Sequence, residues 1–229
     1  MLNVSRINQS YGGSHTLWDV DLEVKPGSRT CLMGRNGMGK TTLLKCVMGL
    51  IRSQSGAMTF KGTTLTSLPA EARARLGIGY VPQGREIFPQ LTVEENLQVG
   101  LGISKAKEIP PRIFKLFPVL KKMRARRGGD LSGGQQQQLA IGRALVLEPT
   151  LLILDEPTEG IQPNVVHEIG DVLLRLNKEE GLTLLLVEQK LPFARRVASD
   201  FTVLDKGRVV ASGPIQALTD DVVKSHLTV

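Results

Sequence analysis

The sequence predicts an α/β fold in which helices cover both faces of a parallel sheet, with an antiparallel sheet near the N-terminus. Three segments are apolar throughout, as strands buried on both faces are. They are residues 29–34, 151–156 and 182–188. Residues 17–24 instead alternate Val20, Leu22 and Val24 with acidic residues. That alternation indicates a half-buried strand of an antiparallel sheet.

The middle of the chain predicts a helical insertion. Residues 85–140 contain several prolines and no convincing strand, and Thr92 with Glu95 three residues later forms a helix capping box. We therefore predict a single domain, residues 1–229. Its α/β core spans 1–84 and 141–229, and its helical subdomain spans 85–140.

The composition argues against a membrane-spanning protein but does not identify a binding partner. The longest apolar runs are far shorter than the roughly 18 residues of a membrane-spanning helix. The first ten residues lack a basic leader and a long apolar segment, so we expect the first strand of a cytosolic protein. Cys31 and Cys46 are expected to be buried, reduced thiols. The net charge of +7 suits nucleic acid, an anionic ligand or the inner membrane surface.

A phosphate-binding loop is predicted where "GRNGMGKT" fits G-x-x-x-x-G-K-[ST] between an apolar strand and an apolar-periodic helix. Glycines let backbone N–H groups approach phosphate oxygens, and the helix N-terminus adds a favourable dipole. Lys40 supplies a point charge, and Thr41 offers a hydroxyl to Mg²⁺. The predicted nucleotide-binding residues here are Gly34, Arg35, Asn36, Gly37, Met38, Gly39, Lys40, Thr41 and Thr42.

Two adjacent carboxylates end the apolar run "LLILDE". Asp155 and Glu156 are placed at the carboxyl end of a buried parallel strand, where ligands bind in open α/β sheets. Asp155 is predicted to hold Mg²⁺ through its water shell, and Glu156 to polarise a water that attacks a γ-phosphate. Without the phosphate loop, the same pattern would indicate only a solvated strand end.

A second helix N-terminus is predicted in "LSGGQQQQLAIGRAL", residues 131–145. Ser132 and Gln135 form a capping box, and Gly133 and Gly134 leave the first turn without side chains. A bare helix N-terminus is an anion site. On the capping box alone, an ordinary capped helix is the simpler interpretation.

Together, "GRNGMGKT", "LSGGQ" and "LLILDEP" in this order resemble the nucleotide-binding subunit of an ATP-binding cassette (ABC) transporter, over essentially the whole chain. "LSGGQ" is specific to this family among P-loop proteins. The resemblance implies a P-loop NTPase with a RecA-like parallel sheet that binds ATP and Mg²⁺ and hydrolyses ATP. It also implies a homodimer, or a heterodimer with a paralogue. In that dimer ATP lies between the phosphate loop of one subunit and Ser132, Gly133, Gly134 and Gln135 of the other.

The resemblance also implies partners and a location. The partners are integral membrane permease subunits and, indirectly, a periplasmic solute-binding protein, with no nucleic acid. The location is peripheral, at the cytoplasmic face of the inner membrane. The helical subdomain is expected to hold the groove that receives a helix of the membrane subunit.

Three further residues match the family pattern. Tyr11, in "QSYGG", resembles the aromatic residue that stacks on adenine, although a turn tyrosine is the plainer interpretation. Gln83, in "YVPQG", resembles the loop glutamine that reaches Mg²⁺ and the attacking water. Gln189, which follows the apolar run in "LLLVEQK", is predicted to contact the γ-phosphate and to join Glu156 and Gln83 as a catalytic residue.

The chain departs from the usual family pattern at two positions. Gln162 replaces an aspartate that helps to couple the two sites across the dimer. Gln189 stands where many members carry a histidine, and His15, His167 and His226 lie elsewhere in the pattern. Transporters of branched-chain amino acids and of urea resemble this chain in both departures. "VPQGREIFPQLTVEENL" with "DEPTEGIQP" resembles the urea importers most, so urea or a short amide is the expected solute and a branched-chain amino acid the alternative.

Two other classes remain as alternatives. A soluble ABC ATPase acting on DNA or ribosomes suits the positive charge. However, the stretch between Lys40 and Ser132 is too short for the coiled coil of repair-type members, and translation-type members usually carry two cassettes. A GTPase is suggested by "NKEE" at 177–180, but the required aspartate is a glutamate and the segment ends an amphipathic helix.

Overall fold

The computed structural model describes residues 1–104 and 106–227. Its strands are β1 (Leu2–Tyr11), β2 (Ser14–Val24), β3 (Arg29–Met33), β4 (Ser55–Phe60), β5 (Thr63–Thr64), β6 (Ile78–Val81), β7 (Leu151–Asp155), β8 (Thr183–Val187), β9 (Asp200–Asp205) and β10 (Arg208–Pro214). Its α-helices are α1 (Lys40–Met48), α2 (Ala70–Arg75), α3 (Val93–Val99), α4 (Pro111–Leu116), α5 (Pro118–Lys122), α6 (Gly133–Leu145), α7 (Pro163–Glu180), α8 (Leu191–Val197) and α9 (Asp220–His226). None of the described helices is long and apolar enough to cross a membrane.

A six-stranded sheet forms the centre of the molecule, in the order β10-β9-β3-β8-β7-β6. Its neighbouring strands are parallel except for the β9–β10 pair. The three apolar segments of the sequence are the adjacent strands β3, β8 and β7. Side chains of these strands point alternately into two separate apolar cores, which explains why the strands are apolar throughout.

The second sheet is antiparallel, in the order β2-β1-β4-β5. Val20, Leu22 and Val24 of β2 are buried, whereas the acidic residues between them are exposed. This sheet covers one face of the central sheet through the core that contains Leu32 of β3 and Leu43 of α1. The predicted fold class is therefore confirmed.

The insertion is helical, with α3, α4, α5 and the start of α6. Both predicted capping boxes are present, at Thr92 with Glu95 and at Ser132 with Gln135. Pro118 begins α5 directly after the break at Phe117. The division into core and subdomain stays a prediction, and its boundary at residue 140 falls inside α6, which is continuous to Leu145.

The sequence analysis did not identify β6, β9 or β10. β6 has only four residues, "IGYV", and one of them is glycine, so its apolar pattern is too short to distinguish from a loop. Its position beside β7 matters, because β6 delivers Gln83 to the same edge of the sheet as Glu156.

Candidate nucleotide site

Four loops meet at the carboxyl edge of the central sheet because β3, β8, β7 and β6 are consecutive and parallel. The loop after β3 carries the phosphate-loop motif, and the loop after β8 carries Gln189. The loops after β7 and β6 carry Glu156 and Gln83. Residues far apart in sequence are thus brought together at the edge where open α/β sheets bind ligands.

The phosphate loop surrounds a cavity of about 180 Å³ that Thr16, Gln83 and Glu156 also line. Gly34 has φ +148°, and a Cβ there would lie 2.2 Å from the carbonyl oxygen of Leu204, so only glycine fits. α1 begins at Lys40 without a side-chain cap, so its first N–H groups are available to an anion. Lys40 Nζ donates to the carbonyls of Gly34 at 2.7 Å and Arg35 at 2.9 Å.

Burial and a neighbouring charge shift the pKa of Lys40 in this cavity. Burial lowers the pKa of Lys40, and the negative charge of Glu156 opposes that shift. Lys40 Nζ lies 3.8 Å from Glu156 Oε1. A buried ammonium beside a carboxylate is suited to hold polyphosphate oxygens that arrive with several negative charges.

Asp155 is the residue best suited to a metal ion. It is 1% exposed, and among the described residues neither of its carboxylate oxygens accepts a hydrogen bond. Burial raises its pKa to about 6, while the nearby Thr41 hydroxyl opposes the shift. An unpaired buried carboxylate beside a hydroxyl is the oxygen donor set that Mg²⁺ prefers. Of the three predicted Mg²⁺ residues, Asp155 and Thr41 therefore fit the ion, whereas Gln83 donates its amide nitrogen to Glu156 and Glu159 and its contact with Mg²⁺ stays a prediction. The described residues contain no cluster of three or more His, Cys, Asp or Glu that could hold a metal ion.

Glu156 occupies the centre of the site in a strained conformation. Its φ is +50°, which is uncommon for a residue other than glycine. Its N–H donates to the carbonyl of Val187 at 2.9 Å, which ties it to β8. Its Oε1 accepts from Gln189 Nε2 at 2.5 Å and its Oε2 accepts from Gln83 Nε2 at 3.3 Å. Of the three predicted catalytic residues, Gln83 and Gln189 thus both contact Glu156.

Gln189 uses both of its amide hydrogens within the chain. Besides Glu156, its Nε2 donates to Oδ1 of Asn36 in the phosphate loop at 2.7 Å. A glutamine amide has only two N–H donors. To donate to a γ-phosphate, Gln189 must therefore release Asn36 or Glu156, and its predicted phosphate contact stays a prediction.

Glu188 is a residue of the site that the sequence analysis did not identify. It is 2% exposed, and its carboxylate accepts from the Thr158 hydroxyl at 2.7 Å and from the N–H groups of Gln189 at 2.8 Å and Lys190 at 2.9 Å. Lys190 Nζ in turn donates a hydrogen bond to the Thr158 carbonyl oxygen at 2.8 Å. This cluster, which we call the loop clip, fastens the loop after β8 to the loop after β7. Its only sequence signal is an acidic residue that directly follows an apolar strand.

The predicted signature residues lie apart from the phosphate-loop cavity. Ser132, Gly133, Gly134 and Gln135 form the first turn of α6, and none of them lines that cavity. A Cβ on Gly134 would lie 2.9 Å from Val165 Cγ1, so this glycine is needed for the packing of α6 on α7. The first turn is therefore less bare than the sequence suggested.

Tyr11 ends β1 and is 48% exposed, outside the described lining of the cavity. Thr16, which lines the cavity, was not identified from the sequence because no motif marks it. Trp18 on the same strand as Thr16 is 38% exposed and stacks on His15 with ring centroids 3.5 Å apart. The arrangement leaves adenine stacking on Tyr11 as a prediction.

The fold and these contacts define a P-loop nucleoside triphosphatase, with a phosphate loop after β3 and two consecutive carboxylates, Asp155 and Glu156, at the end of β7. The ABC transporter family matches residues 17–159. The chain belongs to this family and is an ATPase.

Relatives match over nearly the whole chain. The probable branched-chain amino acid transport ATP-binding protein LivF of Archaeoglobus fulgidus is 40% identical over 223 residues, covering 96% of this chain and 94% of the relative. The high-affinity branched-chain amino acid transport ATP-binding protein BraG of Pseudomonas aeruginosa is 40% identical over 213 residues, covering 92% and 91%. The dimeric post-hydrolysis ATP-binding cassette MJ0796, bound to ADP and Pi, superposes with a TM-score of 0.85 at 25% identity, covering 94% of this chain and 99% of that one.

Proposed function

We propose that this chain is the ATP-hydrolysing subunit of an importer for branched-chain amino acids, attached to permease subunits at the cytoplasmic face of the inner membrane. The assignment of the solute rests on the 40% identity to two relatives named for branched-chain amino acid transport. These relatives favour the alternative over urea. The support for urea as the solute is the motif resemblance alone.

The geometry supports a direct route to hydrolysis. Lys40 and the first N–H groups of α1 bind the phosphates of ATP, and Glu156 accepts a proton from the attacking water. Gln83 and Gln189 hold the two carboxylate oxygens of Glu156 from opposite neighbouring loops. Thr41 and Asp155 would hold Mg²⁺, which would neutralise part of the negative charge of the phosphates.

A dimer completes the proposed site. Ser132 to Gln135 lie away from the phosphate-loop cavity of their own subunit, which supports a role on the nucleotide of a second subunit. MJ0796 is a dimer in its solved structure. Whether the second cassette is identical or a paralogue affects none of the contacts described above.

The helical segment offers a surface for a membrane subunit. Phe88, Val99 and Ile103 are exposed there, at 44%, 47% and 36%. A cavity of about 540 Å³ lies between α3 and α4, with Glu94, Phe114 and Arg124 in its lining. Leu101 and Ile109 also line this cavity, and a groove with both apolar and charged side chains suits an amphipathic helix of a permease.

The solute is tested in proteoliposomes that contain this chain with permease subunits and a solute-binding protein. Leucine should stimulate ATP hydrolysis in the presence of the binding protein, whereas urea and glutamate should not. Stimulation by urea alone would overturn the amino-acid assignment and restore the urea prediction. Absence of ATP hydrolysis under every condition would contradict the ATPase assignment itself.

A further inference from the structure

Arg85 joins two segments of the site that are distant in sequence. Its Nη1 donates to Gln136 Oε1 at 3.3 Å, and its Nη2 donates to the carbonyl of Glu159 at 3.1 Å. Gln136 belongs to residues 132–136, which we call the signature turn. Glu159 belongs to residues 156–160, which we call the catalytic loop. A single guanidinium therefore bridges the signature turn and the catalytic loop of one subunit.

The backbone that carries Arg85 is held in place. Arg85 and Glu86 have φ values of +72° and +45°, so the chain turns sharply between β6 and α3. Arg143 of α6 donates to the carbonyls of Glu86 at 2.7 Å and Arg85 at 3.4 Å. The Arg143 guanidinium also packs over the ring of Phe88 at 5.2 Å. Hydrogen bonds from α6 thus fix the backbone from which the side chain of Arg85 projects.

The signature turn is shaped around this guanidinium. A Cβ on Gly133 would lie 3.3 Å from both Nη1 and Nη2 of Arg85, so a side chain there would crowd the guanidinium. Gln136 Nε2 donates to the carbonyl of Gly128 at 3.2 Å, which orients its oxygen for Arg85. Gly133 therefore leaves room for the Arg85 guanidinium, which a Cβ would displace by a few tenths of an ångström.

The catalytic loop connects the bridge to the reacting groups. Glu159 Oε2 accepts from Gln83 Nε2 at 3.0 Å, and the same nitrogen donates to Glu156 Oε2 at 3.3 Å. A displacement of Glu159 therefore shifts both the Gln83 amide and the Glu156 carboxylate. Gln83 and Arg85 also lie two residues apart on one loop.

We propose that Arg85 is a positioning residue that couples the signature turn to the catalytic loop within each subunit. Nucleotide bound at the phosphate loop orders the catalytic loop, and Arg85 passes that order to the turn that meets the second subunit. The proposal rests on the proposed ATPase function. Arginine suits the role because its planar fork presents two donors in fixed directions, whereas lysine presents one flexible point charge.

Hydrogen exchange with the ATP analogue AMP-PNP tests the bridge at protein concentrations where the chain is monomeric. In the wild type, AMP-PNP should slow amide exchange in both the phosphate loop and the signature turn. In Arg85→Ala and Gln136→Met, the slowing at the signature turn should fall at least about threefold, while the slowing at the phosphate loop persists. Arg85→Lys should restore only part of the response. Arg175→Ala is the matched control, because the contact of Arg175 in the described part of the chain is an exposed ion pair with Glu179.

The outcomes separate the two proposals. A full response of the signature turn in Arg85→Ala would overturn the bridge. Faster exchange in both segments without nucleotide, with an unchanged response to nucleotide, would show a purely structural role and would also overturn it. No slowing at the phosphate loop of the wild type would overturn the ATPase function and the bridge with it.

Discussion

The loop clip yields a sharp prediction for Thr158→Val. Thr158 is fully buried, and its hydroxyl is one of three donors to the buried carboxylate of Glu188. Valine fills nearly the same volume, so the substitution removes a donor without leaving a cavity. The carboxylate retains two backbone N–H groups and becomes only partly satisfied.

The magnitude follows from that geometry. A hydrogen bond to a charged group contributes about 1.5–3 kcal/mol, and the two remaining donors place the loss near the middle, at about 2 kcal/mol. For a chain of this size that loss lowers Tm by about 4–8 °C. The same change loosens Gln189 and the loop that carries Glu156, so kcat should fall about tenfold while ATP affinity stays nearly constant.

Denaturant unfolding and steady-state ATP hydrolysis measure the two effects. Thr183→Val is the control, because Thr183 is equally buried but, among the described residues, its hydroxyl accepts from a neutral group, the N–H of Gly27, at 2.9 Å. Its loss should be about 0.5–1.5 kcal/mol with an unchanged kcat. Wild-type stability and turnover in Thr158→Val, or equal losses in both variants, would refute the loop clip.

Further substitutions examine the reacting groups. Glu156→Gln should abolish turnover and preserve ATP binding in an equilibrium nucleotide-binding assay; near-normal hydrolysis would remove Glu156 from its role. Gln189→Ala should lower kcat less than Glu156→Gln does, because Gln189 orients the carboxylate and takes no proton, and a larger loss would contradict this order. Tyr11→Ala should weaken binding of ATP about tenfold if adenine stacks there, given about 1–3 kcal/mol for such stacking; a loss in Trp18→Ala alone would transfer the stacking to Trp18. Asp155→Asn should raise the unfolding free energy of the nucleotide-free protein at neutral pH by relieving an unpaired buried charge, while abolishing Mg²⁺-dependent hydrolysis; unchanged stability would show that Asp155 is already paired.

Much of the site was predictable because its motifs occupy consecutive residues. "GRNGMGKT" specifies a turn, a charge and a helix start within eight positions, and "LLILDE" specifies a strand and its two terminal carboxylates. Such local patterns carry their own geometry. The structure places both where the pattern indicates, on β3 with α1 and on β7.

Glu188 and Arg85 were not predictable, because their partners are remote in sequence. Glu188 contacts Thr158 across 30 residues, and Arg85 contacts Gln136 across 51. A lone acidic or basic residue at a strand end or in a loop is usually solvated, so the sequence offers no reason to bury or pair it.

The sequence alone determined the α/β fold class and predicted a phosphate loop and a catalytic carboxylate, since glycine spacing, strand apolarity and strand-end charges are local properties. The tertiary structure decided which loops meet. Strand order puts β8 between β3 and β7, and that placement gives Gln189 two acceptors at once, in Asn36 and Glu156. Strand order depends on how distant segments pack. For this reason only the structure shows that, in "LLLVEQK", the buried carboxylate of Glu188 holds the loops after β8 and β7 together and the amide of Gln189 faces Glu156.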